Sequence, residues 1–202
     1  MLAPAGDMAL LYEDGFESAT ASRWEPSDAS AWRVKSIGGN NVYSLFKDCS
    51  YEPPVRAPQN FALLKDLEVK SFVLEVKVQS TEPEYGHRDV CLFFGYNDPS
   101  HLYYVHFATK ADDHANSIFV VDGKPRVSIA SQRTSGTHWD EQWHTVRVER
   151  DVVTGMIKTY FDDMTTPVML AMDKTFLRGR IGIGSFDDTA NFDDLRVWGE
   201  RF

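Results

Sequence analysis

From Ser71 to the C-terminus, apolar and polar residues alternate with period two over runs of about five to eight, and turn residues separate the runs. This spacing predicts strands at Phe72 to Val78, Asp89 to Tyr96, His101 to Thr109, His114 to Val121, Lys124 to Ala130 and Trp143 to Arg150. Further strands are predicted at Met156 to Asp162, Val168 to Met172, Arg180 to Phe186 and Phe192 to Trp198. Asn97-Asp98-Pro99-Ser100, Asp122-Gly123 and Val153-Thr154-Gly155 supply hairpin joins, because Asn, Asp, Gly and Pro adopt turn geometry at little cost. The first third adds Ala9 to Tyr12, Trp32 to Lys35 and Val42 to Phe46. A less regular stretch from Lys47 to Asn60, holding Pro53, Pro54 and Pro58, reads as a loop. No segment keeps an apolar stripe at helical spacing for three turns, and the nearest, Phe61 to Val69, is too short to shape the fold. Strands in this number, joined by hairpins, imply an all-β fold of two antiparallel sheets packed face to face. With no linker, repeat or low-complexity tract, residues 1–202 are expected to form one domain with its core between about 10 and 198.

Composition narrows the functional classes. The chain has 43 % hydrophobic residues, enough for a sizeable core, and a formal net charge of −9, which argues against a surface built to hold nucleic acid or anionic lipid. No run approaches the ~20 apolar residues that span a bilayer. The opening Met1 to Asp7 has neither a charged n-region nor an apolar h-region, a pattern also compatible with an exported protein trimmed of its leader. Cys49 and Cys91 allow at most one disulfide, so the fold does not rest on a cystine framework.

The two ends carry a paired signature. Tyr12-Glu13-Asp14-Gly15-Phe16-Glu17-Ser18 with Trp24 opens the chain, and Ile181-Gly182-Ile183-Gly184-Ser185 with Phe192-Asp193-Asp194-Leu195-Arg196-Val197 closes it. Phe93-Phe94-Gly95-Tyr96-Asn97-Asp98-Pro99 and Trp143-His144-Thr145-Val146-Arg147-Val148 lie between. In this order the motifs resemble the concanavalin A-like lectin/glucanase jelly roll, and are especially similar to laminin-G-like and 3-keto-disaccharide hydrolase domains. The resemblance spans roughly Leu10 to Trp198. It implies that the first and last strands lie together, that a glycan is held on a concave sheet face, and that the protein works outside the cytoplasm. It also implies a structural calcium at the junction of the ends, with Gly15, Asn40 and Asp193 at the matching positions, since calcium takes six to eight oxygen ligands. The plain alternative for Asp193 and Asp194 is a solvated turn. No organic cofactor is implied.

Candidate chemistry clusters among the histidines. On the strand His101 to Thr109, Tyr103, Val105 and Phe107 form an apolar set, leaving Tyr104 and His106 on the opposite face. In the next strand Ala115, Ser117 and Phe119 oppose His114 and Asn116, while His87 and Asp89 share parity with Cys91. Hairpin pairing would then gather His87, Tyr104, His106, His114 and Asn116 on one face, with Arg88 at its edge and Arg126 nearby. Such groups suit proton abstraction beside a carboxylate: Tyr104 or one of His87, His106 and His114 takes the proton, while Arg88, Asn116 and a second histidine neutralise the developing charge. Asp89, Asn116 and Arg126, with Tyr51 and Arg56 from the proline-bearing loop, are candidate substrate contacts, and Trp139 in a polar stretch is a candidate stacking platform. Taken singly, each is as readily a structural or surface residue. Polysaccharide lyases of jelly-roll form are similar in kind, though their motifs are absent.

Other chemistries have less support. The paired carboxylates that laminarinase-like enzymes carry on a single strand are missing, although Asp89 and Asp113 could meet across strands. His87, His106 and His114 with Asp89 or Asp113 would serve as zinc or iron ligands, but at no signature spacing. Cys91 sits in an apolar run and reads as buried. The leading expectation is a carbohydrate-active enzyme that cleaves a polysaccharide or oligosaccharide on the concave face, lyase-like or hydrolytic. The alternatives are a non-catalytic glycan-binding module of the laminin-G/concanavalin type and a structural or interaction sandwich without a small ligand.

Overall fold

The computed structural model describes residues 7–202; the opening segment read for leader features lies outside these up to Gly6. Fifteen strands, numbered in chain order, are linked through one long strand, β5 (Asn60–Ser80). Its first half pairs with β2 (Trp24–Pro26) and β14 (Gly179–Ser185). From β14 the same layer continues through β6 (Asp89–Asp98), β7 (His101–Ala108), β8 (Ser117–Asp122) and β9 (Val127–Ser128). The second half of β5 lies between β11 (His144–Arg150) and β15 (Ala190–Arg201). That layer runs on through β12 (Met156–Phe161), β13 (Met169–Met172) and β10 (Ala130–Arg133) on one side. On the other, β15 carries β1 (Leu10–Asp14) and β4 (Asn40–Leu45), and β4 carries β3 (Trp32–Ile37). The turn between the halves of β5 coincides with Asp66 at φ 55° and with a register shift against β14, the local signature of a bulge.

Phe61 to Val69, weighed from sequence as a short helix, is therefore strand. Ala62 and Leu64 enter the inter-layer core while Phe61 and Leu63 enter a second apolar cluster on the far face. Residues apolar on both sides obscure the alternation, so the run carries no visible period of two. The run Lys124 to Ala130 likewise divides, β9 pairing with β8 and β10 with β13. The main core interleaves Val90, Leu92, Phe94, Tyr103 and Val105 from one layer with Phe72, Leu74, Val76, Val148 and Val197 from the other. Phe72 and Phe94 meet edge to face across it at 5.8 Å. This is the all-β two-layer sandwich expected from the alternation. The expected pairing of the chain ends is also present, with Tyr12 opposite Val197 and Asp14 opposite Leu195.

β14 passes unusually close to β5. A Cβ at Gly184 would stand 1.9 Å from the Asn60 carbonyl oxygen, so only glycine fits there. Both cysteines are buried and free.

Candidate functional site

The far face of the β6–β7–β14 layer is where the sequence placed its chemistry. Register across the hairpin sets Cys91 opposite His106 and Phe93 opposite Tyr104, so Tyr104 and His106 share a face as expected, and Cys91 and Phe93 share it with them. The next pairing sets Tyr104 opposite Phe119 and His106 opposite Ser117. Opposed residues of an antiparallel pair point the same way, so Phe119 and Ser117 join this face and Asn116 leaves it, the reverse of the expected parity. Phe61, Leu63, Phe93, Leu102, Phe119 and Val121 make the face mainly apolar. Such a surface is not left open to water. The loop read from Lys47 to Asn60 covers it: Ala57 is buried there, Tyr51 and Val55 pack on it, and Tyr51 meets Phe61 edge-on at 5.4 Å. Arg126 N donates to the exposed Arg56's carbonyl at 3.1 Å, fastening the cover.

Tyr104 is consequently 0 % exposed and His106 3 %. Burial holds the Tyr104 phenol well above its usual range, and its oxygen accepts from Arg126 Nη1 at 2.8 Å. Arg126 itself lies over Phe186 at 4.2 Å and Phe119 at 4.9 Å. His106 Nε2 meets Asp89 Oδ2 at 3.1 Å.

The remaining candidates separate. His87 is exposed outside the strands and pairs with Asp112 at 2.5 Å; His114 is exposed in the neighbouring turn, and its backbone N–H donates to Asp112. Arg88 is buried at the sandwich margin, where it donates to Ser80 Oγ at 2.9 Å and to the Asp140 carbonyl at 2.6 Å. Asn116 is buried at φ 48° and donates to the Thr134 carbonyl at 3.0 Å, holding a turn. Trp139, expected on an exposed loop, is 4 % exposed: its indole donates to the Phe107 carbonyl at 3.0 Å and packs against Phe161. The His87/His106/His114 metal set is thereby not assembled.

The groups that do converge lie where β6 begins and β14 turns into β15. Asp89 is fully buried; its Oδ2 accepts from Phe186 N at 3.0 Å and from the Cys91 thiol, and its own N–H donates to Asp188 Oδ2 at 2.7 Å. Tyr85, 41 % exposed, donates to Asp188 Oδ1. Burial, reinforced by the charge of Asp89, pushes the Asp188 carboxyl up to about 7, and the same causes raise exposed Asp187. Asp187, Asp188, Tyr85 and Phe186 were not singled out from sequence. The available signal was the acidic pair directly after the Ile181-Gly182-Ile183-Gly184-Ser185 strand. A surface hollow of about 750 Å³ lies apart from this cluster at the turn of β5, lined by Glu25, Lys65, Arg178, Arg180, Arg201 and Phe202.

No known family model and no curated protein matches the sequence. Solved structures do. Carbohydrate binding module CBM66 from Bacillus subtilis is 16% identical with a TM-score of 0.61, over 88% of this chain and 96% of its own. The winged bean acidic lectin, solved with methyl-alpha-D-galactose, is 14% identical at TM-score 0.63, over 95% and 98%. The GH43 protein BlXynB from Bacillus licheniformis is 13% identical at TM-score 0.66; this chain covers 39% of it and is itself 93% covered. The fold is thus the concanavalin A-like jelly roll. Among the described residues no helix is long and apolar enough to cross a membrane.

Proposed function

We propose that the protein is a non-catalytic glycan-binding sandwich, working outside the cytoplasm, that takes its sugar at the rim formed by Tyr85, Phe186, Asp187 and Arg126. One observation carries this reading: Tyr85 is an exposed ring hydrogen-bonded to Asp188, beside exposed Asp187. An aromatic face for stacking next to a carboxylate that accepts from hydroxyls is the usual chemistry of sugar recognition. Two members of the expected proton-abstraction set, Tyr104 and His106, are buried, which supports binding over lyase-like cleavage. Support of a weaker kind comes from the structural neighbours, two of which are described as a binding module and a lectin.

A hydrolytic reading has its own observation. Asp188, held near neutral pKa, and Asp187 are neighbouring carboxylates with oxygens within 4.8 Å of each other, and glycosidases work through a pair of carboxyl groups. Affinity electrophoresis on a panel of soluble polysaccharides, run beside assays for new reducing ends and for unsaturated products, separates the two. Retardation without product, lost in Asp187→Ala, is expected. Product formation abolished by Asp188→Asn would replace binding with hydrolysis.

Calcium at the seam of the chain ends belongs to the same reading. Asn40 donates to Asp193 Oδ2 at 2.8 Å, and a Cβ at Gly15 would lie 3.9 Å from Asp193 Oδ1, so the three positions adjoin. Burial holds the Asp193 carboxyl above its usual range, and a cation beside it would offset that cost to the ionised form. The Gly15 carbonyl, Asn40 and Asp193 would hold the ion, whose part is to tie the first strand to the last. Calcium is expected to raise the melting temperature of chelator-treated protein, and not that of Asp193→Asn.

A further inference from the structure

We propose that the carboxylates of Asp89, Asp187 and Asp188 bind one divalent, oxygen-seeking cation, calcium foremost, at the β14–β15 turn. The three offer ligand oxygens that all lie within 4.8 Å of one another. They come from two segments locked together by the β6–β14 register and by the Phe186 and Asp89 backbone N–H groups, so the grouping is built by the fold. It lies in the other layer from the Gly15, Asn40 and Asp193 seam.

A carboxylate cluster alone is not a site; the second observation is at Asp89. Its side chain is 0 % exposed, and Oδ1 is buried without any hydrogen-bond partner. A buried anionic oxygen with no donor is costly and needs an explanation. The neighbouring cationic groups are committed elsewhere. Arg88 serves Ser80 and the Asp140 carbonyl, Arg126 serves Tyr104, and His87 serves Asp112. Among the described residues His106 makes the one ion pair to the trio, and it reaches Oδ2. Three acidic groups therefore share one imidazole, and the oxygen it does not reach is the free one.

The donor set selects the ion. Carboxylate oxygens favour calcium, magnesium or manganese over zinc or copper. A softer site from Asp89, Cys91 and His106 is geometrically possible. It is disfavoured because the Cys91 thiol is fully buried and donates its proton to Asp89, whereas a metal requires the thiolate. Each carboxylate offers about four lone-pair sites, so Asp188 keeps capacity beyond the bonds from Tyr85 and Asp89. Exposed Asp187 leaves the solvent side open for water ligands. The inference does not require the glycan reading.

The test is calorimetric titration of the chelator-stripped full chain with calcium alone, repeated with magnesium and zinc, and with terbium, whose emission Tyr85 would sensitise. Each is run in the native chain and in Asp193→Asn, so that an ion at the seam is accounted for. One saturable calcium component, weakened at least tenfold by Asp187→Asn and by Asp188→Asn with melting cooperativity retained, is expected. Calcium binding that both variants leave unchanged, no saturable binding at millimolar calcium by folded protein, or tighter zinc binding lost in Cys91→Ser would each overturn it. Polysaccharide retardation measured with and without chelator separates the two proposals. Sugar binding without cation binding defeats this inference alone, and cation binding without sugar binding defeats the glycan reading alone.

Discussion

Replacing Tyr104 by Phe separates a buried structural phenol from a catalytic one. The ring is 0 % exposed, stacked on Phe119 at 5.1 Å with 13° between planes, and Phe retains that packing. What is lost is the hydrogen bond from Arg126 Nη1 at 2.8 Å. A bond to a charged partner contributes about 1.5–3 kcal/mol, and the unpaired guanidinium here is half-buried, so water recovers part of the loss. The expected cost is about 1–1.5 kcal/mol, which for a domain of this size lowers Tm by about 2–5 °C. Urea and thermal melts of both proteins measure it, alongside the polysaccharide panel. Stability should fall by that amount while sugar retardation is unchanged. Unaltered melting together with a hundredfold loss of sugar binding or turnover would refute the reasoning, because the hydroxyl would then act on ligand and not on Arg126.

Three further outcomes follow from the same contacts. Trp139→Phe removes the indole bond to the Phe107 carbonyl inside a packed ring cluster and should cost about 2–3 kcal/mol in urea melts, with sugar retardation intact; an exposed platform would show the opposite pair. Gly184→Ala drives a methyl to 1.9 Å from the Asn60 oxygen and should cost more than about 3 kcal/mol, whereas Gly86→Ala, facing only the Lys110 side chain at 3.4 Å, should be near neutral; equal urea midpoints would disprove the close β14–β5 approach. Burial, then its hydrogen bond to Asp173, pushes the Tyr103 phenol up to about 12. A raised phenol keeps its stabilisation below the unfolded pKa of about 10 and loses it as pH climbs through the folded one. Urea stability should therefore fall by about 2 kcal/mol between pH 10 and 12, and Tyr103→Phe should flatten that slope.

The fold was legible where one side of a strand is wet. β11, from His144 to Arg150, alternates buried and half-buried residues without a break, and its pattern is visible in the sequence at once. The first half of β5 was not, because Phe61 and Leu63 are buried on one face and Ala62 and Leu64 on the other. A strand covered on both sides reads as a continuous apolar run. The covering itself was legible in retrospect. Phe93 and Tyr104 have the same parity, and a sheet face that presents Phe61, Phe93, Leu102 and Phe119 requires a lid whatever polar groups lie among them. Tyr104 and His106 are the polar minority on a face that Phe61, Phe93 and Phe119 make a second core, not a cleft.

The same burial that closes the cleft creates the charged cluster at its end. Asp89 begins β6 with the parity of Cys91, so its carboxylate enters the covered space; there it needs donors, and it finds the Phe186 N–H, the Cys91 thiol and His106 on one oxygen only. Asp188 arrives from a turn 99 residues later to accept the Asp89 N–H. No local pattern announces a pairing of that separation, since it depends on β14 lying between β5 and β6. What the sequence does carry is the acidic pair Asp187-Asp188 immediately after a strand whose glycines permit that close packing. Carboxylates brought together beside such a strand must be neutralised by protons, cations or ligand. The exposed side of the cluster, at Tyr85 and Asp187, is the side from which any of these reaches it.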